Sequence, residues 1–418
     1  MSSGERNWAG NYTYRARKLH RPTNLEQLQE LVAQADRVRV LGSRHSFNDI
    51  ADSSELISLA ALPAEVTVDR GTRTVSFTAG LAYGALAEAL NAHDLALHNL
   101  ASLPHISVAG AVATGTHGSG DANGNLATAV AGLELVTSSG QRVTASRGEP
   151  DFDGLVVGLG ALGAVTRITL DVEPAYSVRQ RVFEGLDWDQ LLDHFDEIMC
   201  SGYSVSVFTR WGELVDQVWV KSRATDAPEV MRGELFGARA ATVDRHPILG
   251  HDPVNCTPQL GRPGPWSDRL PHFRMGFTPS SGEELQSEYL LPRRHAVDGL
   301  QAVRALAPRI RPLLQVAEIR TVAADRLWMS PQYGRETVAF HFTWQPDQRA
   351  VDALLVDLEG CLAPFEARPH WGKLFRARAE SMPALYERLP DFVRLVEQLD
   401  PRGAFRNTWL DACVLGPG

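Results

Sequence analysis

Gly42-Ser43-Arg44-His45-Ser46-Phe47, directly behind the run Val38-Arg39-Val40-Leu41, is the stretch on which the fold turns. An apolar strand feeds a turn of small and polar residues with one imidazole at its tip. Small residues let backbone N–H groups come close to an anionic ligand, as phosphate-cradling turns require. The histidine adds a nucleophilic ring nitrogen, which a phosphate turn does not need. Two further hydroxyl-rich segments follow, Ser102-Leu103-Pro104-His105-Ile106-Ser107-Val108-Ala109-Gly110 and Thr114-Gly115-Thr116-His117-Gly118-Ser119-Gly120. Three such segments in the first third of the chain point to one long, phosphate-bearing cofactor laid along them.

The surroundings of that turn predict an α+β fold. Thr23-Asn24-Leu25-Glu26 opens a capping-box helix running to about Ala35, which leads into the strand from Val38 to Leu41. Val66-Thr67-Val68 and Thr74-Val75-Ser76-Phe77 alternate around Arg70-Gly71 as a hairpin does, and a helix follows over 83–93. Leu133-Glu134-Leu135-Val136 and Arg142-Val143-Thr144 flank Ser138-Ser139-Gly140 as a second hairpin. Antiparallel pairs mixed with single helices are α+β and not alternating βαβ. Gly158-Leu159-Gly160-Ala161-Leu162-Gly163 is literally G-x-G-x-x-G, but a nicotinamide fingerprint must follow a strand and open a helix. Here an alternating strand follows, Val165 to Val172, so that reading is rejected.

A chain of 418 residues exceeds one simple core, and two domains are expected. The first spans 1–175, the second 176–372, and a segment 373–418 returns to the first. The second holds helices over 191–199 and 296–307, strands with bulky faces, and a Pro/Gly-rich excursion from Pro247 to Pro279. The composition, 44% hydrophobic and 22% charged, is that of a globular protein, and a net charge of −9 disfavours nucleic acid as a partner. No apolar run approaches the about 18 residues of a membrane helix, and the N-terminus lacks a signal-peptide core, so a cytoplasmic monomer off the membrane is expected. Cys200, Cys256, Cys361 and Cys413 have no metal spacing and read as buried free thiols; no metal is expected.

Period-two spacing on a strand puts Glu318 and Arg320 on one face of Leu314-Gln315-Val316-Ala317-Glu318-Ile319-Arg320-Thr321-Val322. In Val338-Ala339-Phe340-His341-Phe342-Thr343-Trp344, His341 and Thr343 share a face opposite the aromatics. Two strands packed on one side and polar on the other would line a wet cavity. On spacing alone, an ordinary solvent-facing side with a surface ion pair fits equally well. His370 and Lys373, taken alone, read as a surface pair. His93, His98, His246, His251 and His272 form no ligand set.

These motifs, with Asn7-Trp8-Ala9-Gly10-Asn11, Glu318 to Asp325, His341-Phe342-Thr343-Trp344 and Arg368-Pro369-His370-Trp371-Gly372-Lys373, resemble the alditol oxidases, flavoenzymes of the vanillyl-alcohol oxidase superfamily. The likeness runs from Asn7 to the C-terminus. It implies the two-domain FAD-linked oxidase architecture, with an FAD-binding domain and a substrate (cap) domain built on an antiparallel sheet. It also implies FAD carried covalently by His45. The cofactor would be lined by Val40, Leu41, Gly42, Ser43, Arg44, Ser46 and Phe47, then by Ser102, Ser107, Gly110 and the stretch Thr114, Gly115, Thr116 and His117. Farther along come Gly163, Val165, His370 and Asn407. Ser102, Glu318, Arg320, Thr343 and Lys373 would bind substrate, and Arg320, Lys373 and His341 would act in catalysis.

Alcohol oxidation by a flavin needs fixed cations beside the developing alkoxide, the part given to Arg320 and Lys373, and a proton acceptor, the part given to His341. The implied reaction is oxidation of the C1 alcohol of alditols such as xylitol or sorbitol, with O2 reduced to H2O2. An aldonolactone oxidase, a flavin dehydrogenase with another acceptor and a non-catalytic flavin carrier are the alternatives. One departure stands out: the position of Arg44 is more often Gly in that family. An Arg would be strained at positive φ, so an ordinary backbone is expected there, with the guanidinium turned to the pyrophosphate.

Overall fold

The computed structural model describes residues 4–225, 233–276 and 284–416. Its first helix, Leu25–Gln34, is capped by Asn24, not Thr23: the Asn24 side chain accepts from the Gln27 amide at 2.9 Å. Gln27 accepts from the Thr23 amide at 2.9 Å, one residue ahead of the cap, so the helix is capped one residue later than expected and without the strictly reciprocal box. The helix buries Leu28 and Val32 and delivers the chain to Val38–Val40. That strand lies parallel to Glu55–Ile57, which pairs on its other edge with Lys18–His20. Arg39 interrupts the apolar run yet is buried. Its guanidinium donates to the carbonyls of Gly160, Phe405, Ile50 and Leu159 at 2.6 to 3.0 Å, which ties three distant segments to the strand.

Both expected hairpins form. Val66–Asp69 with Thr74–Thr78, and Val130–Val136 with Arg142–Ser146, are joined through Ala164–Asp171 into one five-stranded antiparallel sheet. The G-x-G-x-x-G stretch follows a short helix, Phe152–Val156, and opens that joining strand, the reverse of the nucleotide-binding order. Gly163 is needed for packing: at φ +149 a Cβ there would sit 2.6 Å from the Val136 carbonyl oxygen.

The second half is built on a ten-stranded sheet whose centre runs Ser177–Leu186, Val215–Arg223, Ser204–Thr209, Leu314–Val322, Thr337–Trp344, Leu285–Pro292. One face is covered by helices Trp188–Asp193, Phe195–Met199, Ala296–Ala305 and Gln348–Leu362. The helix expected over 191–199 is thus two, broken at His194, whose φ −123 and ψ 29 are not helical. Gln348–Leu362 was not anticipated, although Val351, Leu354, Leu355, Leu358 and Leu362 form a 3.6-period stripe behind an Asp347 cap. Phe340, Phe342 and Trp344 pack under these helices. Each such burial is worth about 1.5–3 kcal/mol relative to exposure, which forces the alternate residues of the strand onto the other face.

On that other face Ala241, Ile248, Cys256 and Phe273 pack against Val182, Phe208, Trp219 and Val316; the end of the expected excursion lies outside the described residues. Glu288, Glu318, Arg320, His341 and Thr343 on this face line a cavity shared with the first unit. From the C-terminal segment, Leu389, Phe392, Leu395 and Trp409 return to the core that holds Val38 and Tyr83. The α+β architecture of two units is the one expected from the sequence. Among the described residues no helix is long and apolar enough to cross a membrane. All four cysteines are free, but only Cys256 and Cys413 are buried as expected; Cys361 is half-buried and Cys200 exposed.

Candidate active site

The His45 turn is held from three sides. Ser43 and Ser107 bond reciprocally, the Ser107 amide to Ser43 Oγ at 2.9 Å and the Ser43 amide to Ser107 Oγ at 3.3 Å. A Cβ on Gly42 would lie 2.4 Å from Ser107 Oγ, so only glycine permits this approach. Asn7 and Asn11 donate to the Ser46 and Phe47 carbonyls at 2.9 Å each, and the Trp8 ring stacks on His45 with centroids 5.3 Å apart. From the cap side, the Phe47 amide bonds the Gly372 carbonyl at 2.8 Å, and Asn48 Nδ2 donates to the carbonyls of Trp371 and Lys373. The turn is therefore locked to the loop that carries Lys373.

Arg44 corrects the expectation. Its φ is +63, left-handed, so the family's usual glycine marks a true backbone requirement that this chain meets with strain. Its guanidinium pairs with Glu5 at 2.9 Å.

A cavity of about 880 Å³ runs from this turn to the bare face of the large sheet. Val40 through Phe47 line one end, with Ser102, Ser107, Gly110, Thr114, Thr116 and His117 along its length. Glu318, Arg320, His341, Thr343, His370 and Lys373 line the other. Four expected cofactor residues stand apart. Gly115 packs on Pro331, and Gly163 and Val165 line a small separate void. Asn407 braces the carbonyls of Asp49, Ile50 and Asp52 from behind.

The residues present fit a flavin dinucleotide. Both His45 ring nitrogens are buried with no hydrogen-bond partner among the described residues, and burial pulls the imidazole down to about 4. The ring is therefore neutral at neutral pH. The Arg39 guanidinium, bonded to carbonyl oxygens, puts a buried positive charge on the wall beside the serine turn. Among the described residues no group of His, Cys, Asp or Glu is placed to hold a metal.

At the sheet end, register aligns Glu318 with His341 and His341 with Glu288, one row across three strands. Glu288 was not anticipated, although Gln286 and Glu288 alternate with Leu285, Ser287 and Tyr289 in the pattern of a one-sided polar strand. It is the hub. Its Oε1 lies 2.5 Å from Arg320 Nη2 and 3.3 Å from His117 Nε2, and its Oε2 lies 2.7 Å from Lys373 Nζ. Glu288 is 1% exposed and Glu318 5%, so neither is a surface ion pair. Burial opposes the charge on Glu288, but Lys373 and Arg320 outweigh it and hold the carboxyl well below its usual range. Arg320 and His272 do the same for Glu318. Burial lowers Lys373 from its ordinary value.

Lys373 Nζ lies 2.6 Å from His341 Nδ1, and His341 Nε2 lies 3.2 Å from Thr343 Oγ1. Burial and the Lys373 charge bring His341 down to about 4, so the ring is neutral. An ammonium only donates; Nδ1 must accept, and Nε2 carries the hydrogen given to Thr343. His370 is buried, with Nδ1 accepting from the Gly372 amide at 3.1 Å, and so shapes the Lys373 loop.

Comparison with known proteins accords with this geometry. A family model described as FAD binding domain matches residues 16–146, and one described as D-arabinono-1,4-lactone oxidase matches residues 282–413. An alditol oxidase of Streptomyces sp. (strain IKD472 / FERM P-14339) is 51% identical, over 98% of this chain and 99% of that protein. L-gulono-1,4-lactone dehydrogenase of Mycobacterium tuberculosis (strain ATCC 25618 / H37Rv) is 29% identical over 98% and 99%. In structure, cholesterol oxidase from B. sterolicum superposes with a TM-score of 0.80 at 15% identity, over 99% of this chain and 96% of that one, which shows the fold alone. With its flavin-binding unit, its sheet-lined cavity and a relative sharing half its residues end to end, the chain belongs to the alditol oxidase family of FAD-dependent oxidoreductases, within the vanillyl-alcohol oxidase superfamily.

Proposed function

We propose that the protein oxidises the C1 alcohol of alditols such as xylitol or sorbitol to the aldose, with O2 reduced to H2O2, and that FAD is attached covalently through His45. The observation that carries this reading is the buried charged row on the sheet, facing the cavity that His45 enters from the opposite end. When bound, FAD supplies the acceptor for the two electrons and the hydrogen lost from C1.

The chain's own residues do the rest. Glu318 accepts hydrogen bonds from substrate hydroxyls, and Thr343 and Ser102 contact the chain of the polyol, which sets C1 in place. Arg320 and Lys373 hold the reacting oxygen as its negative charge grows. In that step the Lys373 ammonium leaves His341 Nδ1 for the substrate oxygen, and the freed Nδ1 takes the hydroxyl proton. Glu288 Oε2, 3.8 Å from that nitrogen, then faces the imidazolium. A lactone substrate is the second reading, because the family model over residues 282–413 bears a lactone oxidase's description.

One set of measurements tests both parts. Acid precipitation should leave the flavin in the pellet of the wild type and release it from His45→Ala; colour lost from the wild-type pellet refutes the tether. A panel of xylitol, glycerol, 1-butanol and an aldonolactone, followed by H2O2 release, should favour xylitol. Preference for the lactone moves the assignment to the second reading.

A further inference from the structure

Glu318 carries substrate recognition in the reading above, yet it is not held by its own strand alone. Its Oε1 receives His272 Nε2 at 2.9 Å and lies 3.7 Å from Arg320 Nε, while its Oε2 has no hydrogen-bond partner among the described residues, and the residue lines the cavity. His272 comes from the excursion across the sheet, and its other nitrogen, Nδ1, lies 3.1 Å from Lys221 Nζ. Lys221 belongs to Val215–Arg223, on the same face of the sheet as Glu318, and also donates to the Leu270 carbonyl. The Phe208 and Trp219 rings stand edge-on to the imidazole at 5.4 and 5.3 Å. The backbone of the same residue reaches the first unit, where the His272 amide donates to the Ser102 carbonyl at 3.2 Å.

From this arrangement we infer that Lys221 and His272 are positioning residues for the substrate: the lysine fixes the histidine tautomer, and the histidine holds Glu318 Oε1 so that Oε2 is presented to a polyol hydroxyl. The inference rests on the polyol reading of Glu318. Its logic is that of hydrogen-bond supply. A lysine facing Nδ1 donates there, so Nε2 must bear the hydrogen that the carboxylate accepts. The opposite tautomer would set two acceptors, Nε2 and Oε1, against each other in a buried site. Burial, seconded by the Lys221 charge, pulls His272 down to about 4, which keeps the ring neutral and the supply one-directional. Burial lowers Lys221 to about 7; its ammonium form only donates, and the ionised Glu318 carboxylate, which only accepts, demands the same tautomer from the other side of the ring. Flanked by two aromatic rings, His272 has little freedom to swing away, and its amide, with that of Phe273, holds the Ser102 carbonyl, so two of the proposed substrate contacts depend on one anchor.

The test uses the purified flavoenzyme with covalent flavin content checked first. His272→Leu should lower kcat/KM for xylitol by about 10- to 100-fold, the scale of an unsupported buried acceptor, and change 1-butanol far less. His272→Gln, whose side-chain amide can still donate to Oε1, should recover xylitol to within about fivefold of wild type. Lys221→Met should cost about 3- to 10-fold on xylitol. In a Glu318→Gln background both His272→Leu and Lys221→Met should cost less than about twofold more, because they act through the carboxylate that has been removed. Equal losses for His272→Leu and His272→Gln, or losses that multiply fully with Glu318→Gln, overturn the inference. A Glu318→Gln enzyme with unchanged preference for xylitol over 1-butanol overturns the polyol reading instead. If His272→Leu fails to accumulate as flavoprotein, the Lys221→Met and Glu318→Gln cycle decides alone.

Discussion

Arg44 shows how far one residue can be understood from sequence. Its departure from the family's glycine is visible in the sequence, but the backbone is left-handed where an ordinary one is expected: φ is +63, and the strain is tolerated because neighbours hold the turn. The Arg44 carbonyl accepts from the Trp8 amide at 2.8 Å, and the side chain pairs with Glu5. A half-exposed ion pair of that kind contributes at most about 1 kcal/mol, less than or equal to the cost of a left-handed L-residue. Arg44→Gly should therefore exceed Arg44→Ala in stability by about 1 kcal/mol, because both lose the pair but only glycine loses the strain. Thermal unfolding of the two variants decides; equal midpoints would mean the turn relaxes to negative φ when the arginine goes.

At the scale of the element, the useful object is the row formed by Glu318, His341 and Glu288. The alternation of each strand put Glu318 with Arg320 and His341 with Thr343 on the right faces. The third strand, with Gln286 and Glu288, follows the same rule. Its consequence is electrostatic: the two cations expected to meet an alkoxide share one buried anion, which offsets part of their charge and holds both in place before substrate arrives. Breaking a buried pair leaves the remaining charges uncompensated. Glu288→Gln should cost about 3–5 kcal/mol in urea unfolding and lower kcat as Lys373 and Arg320 lose their anchor. Lys373→Ala should lower kcat by about 10²–10³ with normal flavin content, the scale of one lost donor to a developing oxyanion. A Glu288→Gln protein of wild-type stability would mean that water or a shifted carboxylate replaces the anion.

For the molecule as a whole, buried neutral histidines set the response to acid. Burial lowers His272 and His341 to about 4 each, against an ordinary value near 6.5 in the unfolded chain. Between those values the unfolded state binds protons that the folded state refuses, so stability rises with pH across this window. Their contribution is complete above about pH 6.5 and lost as pH falls toward 4, a few kcal/mol for each ring. Glu288 and Glu318, held below the usual carboxylate range, add a second loss below about pH 4.5. The unfolding midpoint should thus fall steeply from pH 6.5 to 4, and His272→Gln should flatten part of that slope. A midpoint level over that interval would show that the two imidazoles are solvated and charged in the fold.

By itself the sequence determined what depends on neighbours along the chain. The strand and glycine-serine turn before His45, both hairpins, the α+β class, the rejected nucleotide fingerprint and the polar faces of two strands all follow from local spacing and propensity. It also carried the family, through short motifs kept in order. Only the tertiary structure decided what depends on contacts between distant segments. His272 and Lys221 bear no local mark of function, since a lone buried histidine or lysine gains meaning from the partner that satisfies its charge or hydrogen bond, and the strand pattern of Glu288 gives its face but not the cations it meets. Gly115, Gly163, Val165 and Asn407 sit in the expected segments, yet backbone direction turns them away from the large cavity. The physical reason is common to both lists: spacing along a strand sets which face a side chain takes, whereas what that face meets is set by packing across the sheet and between the two units.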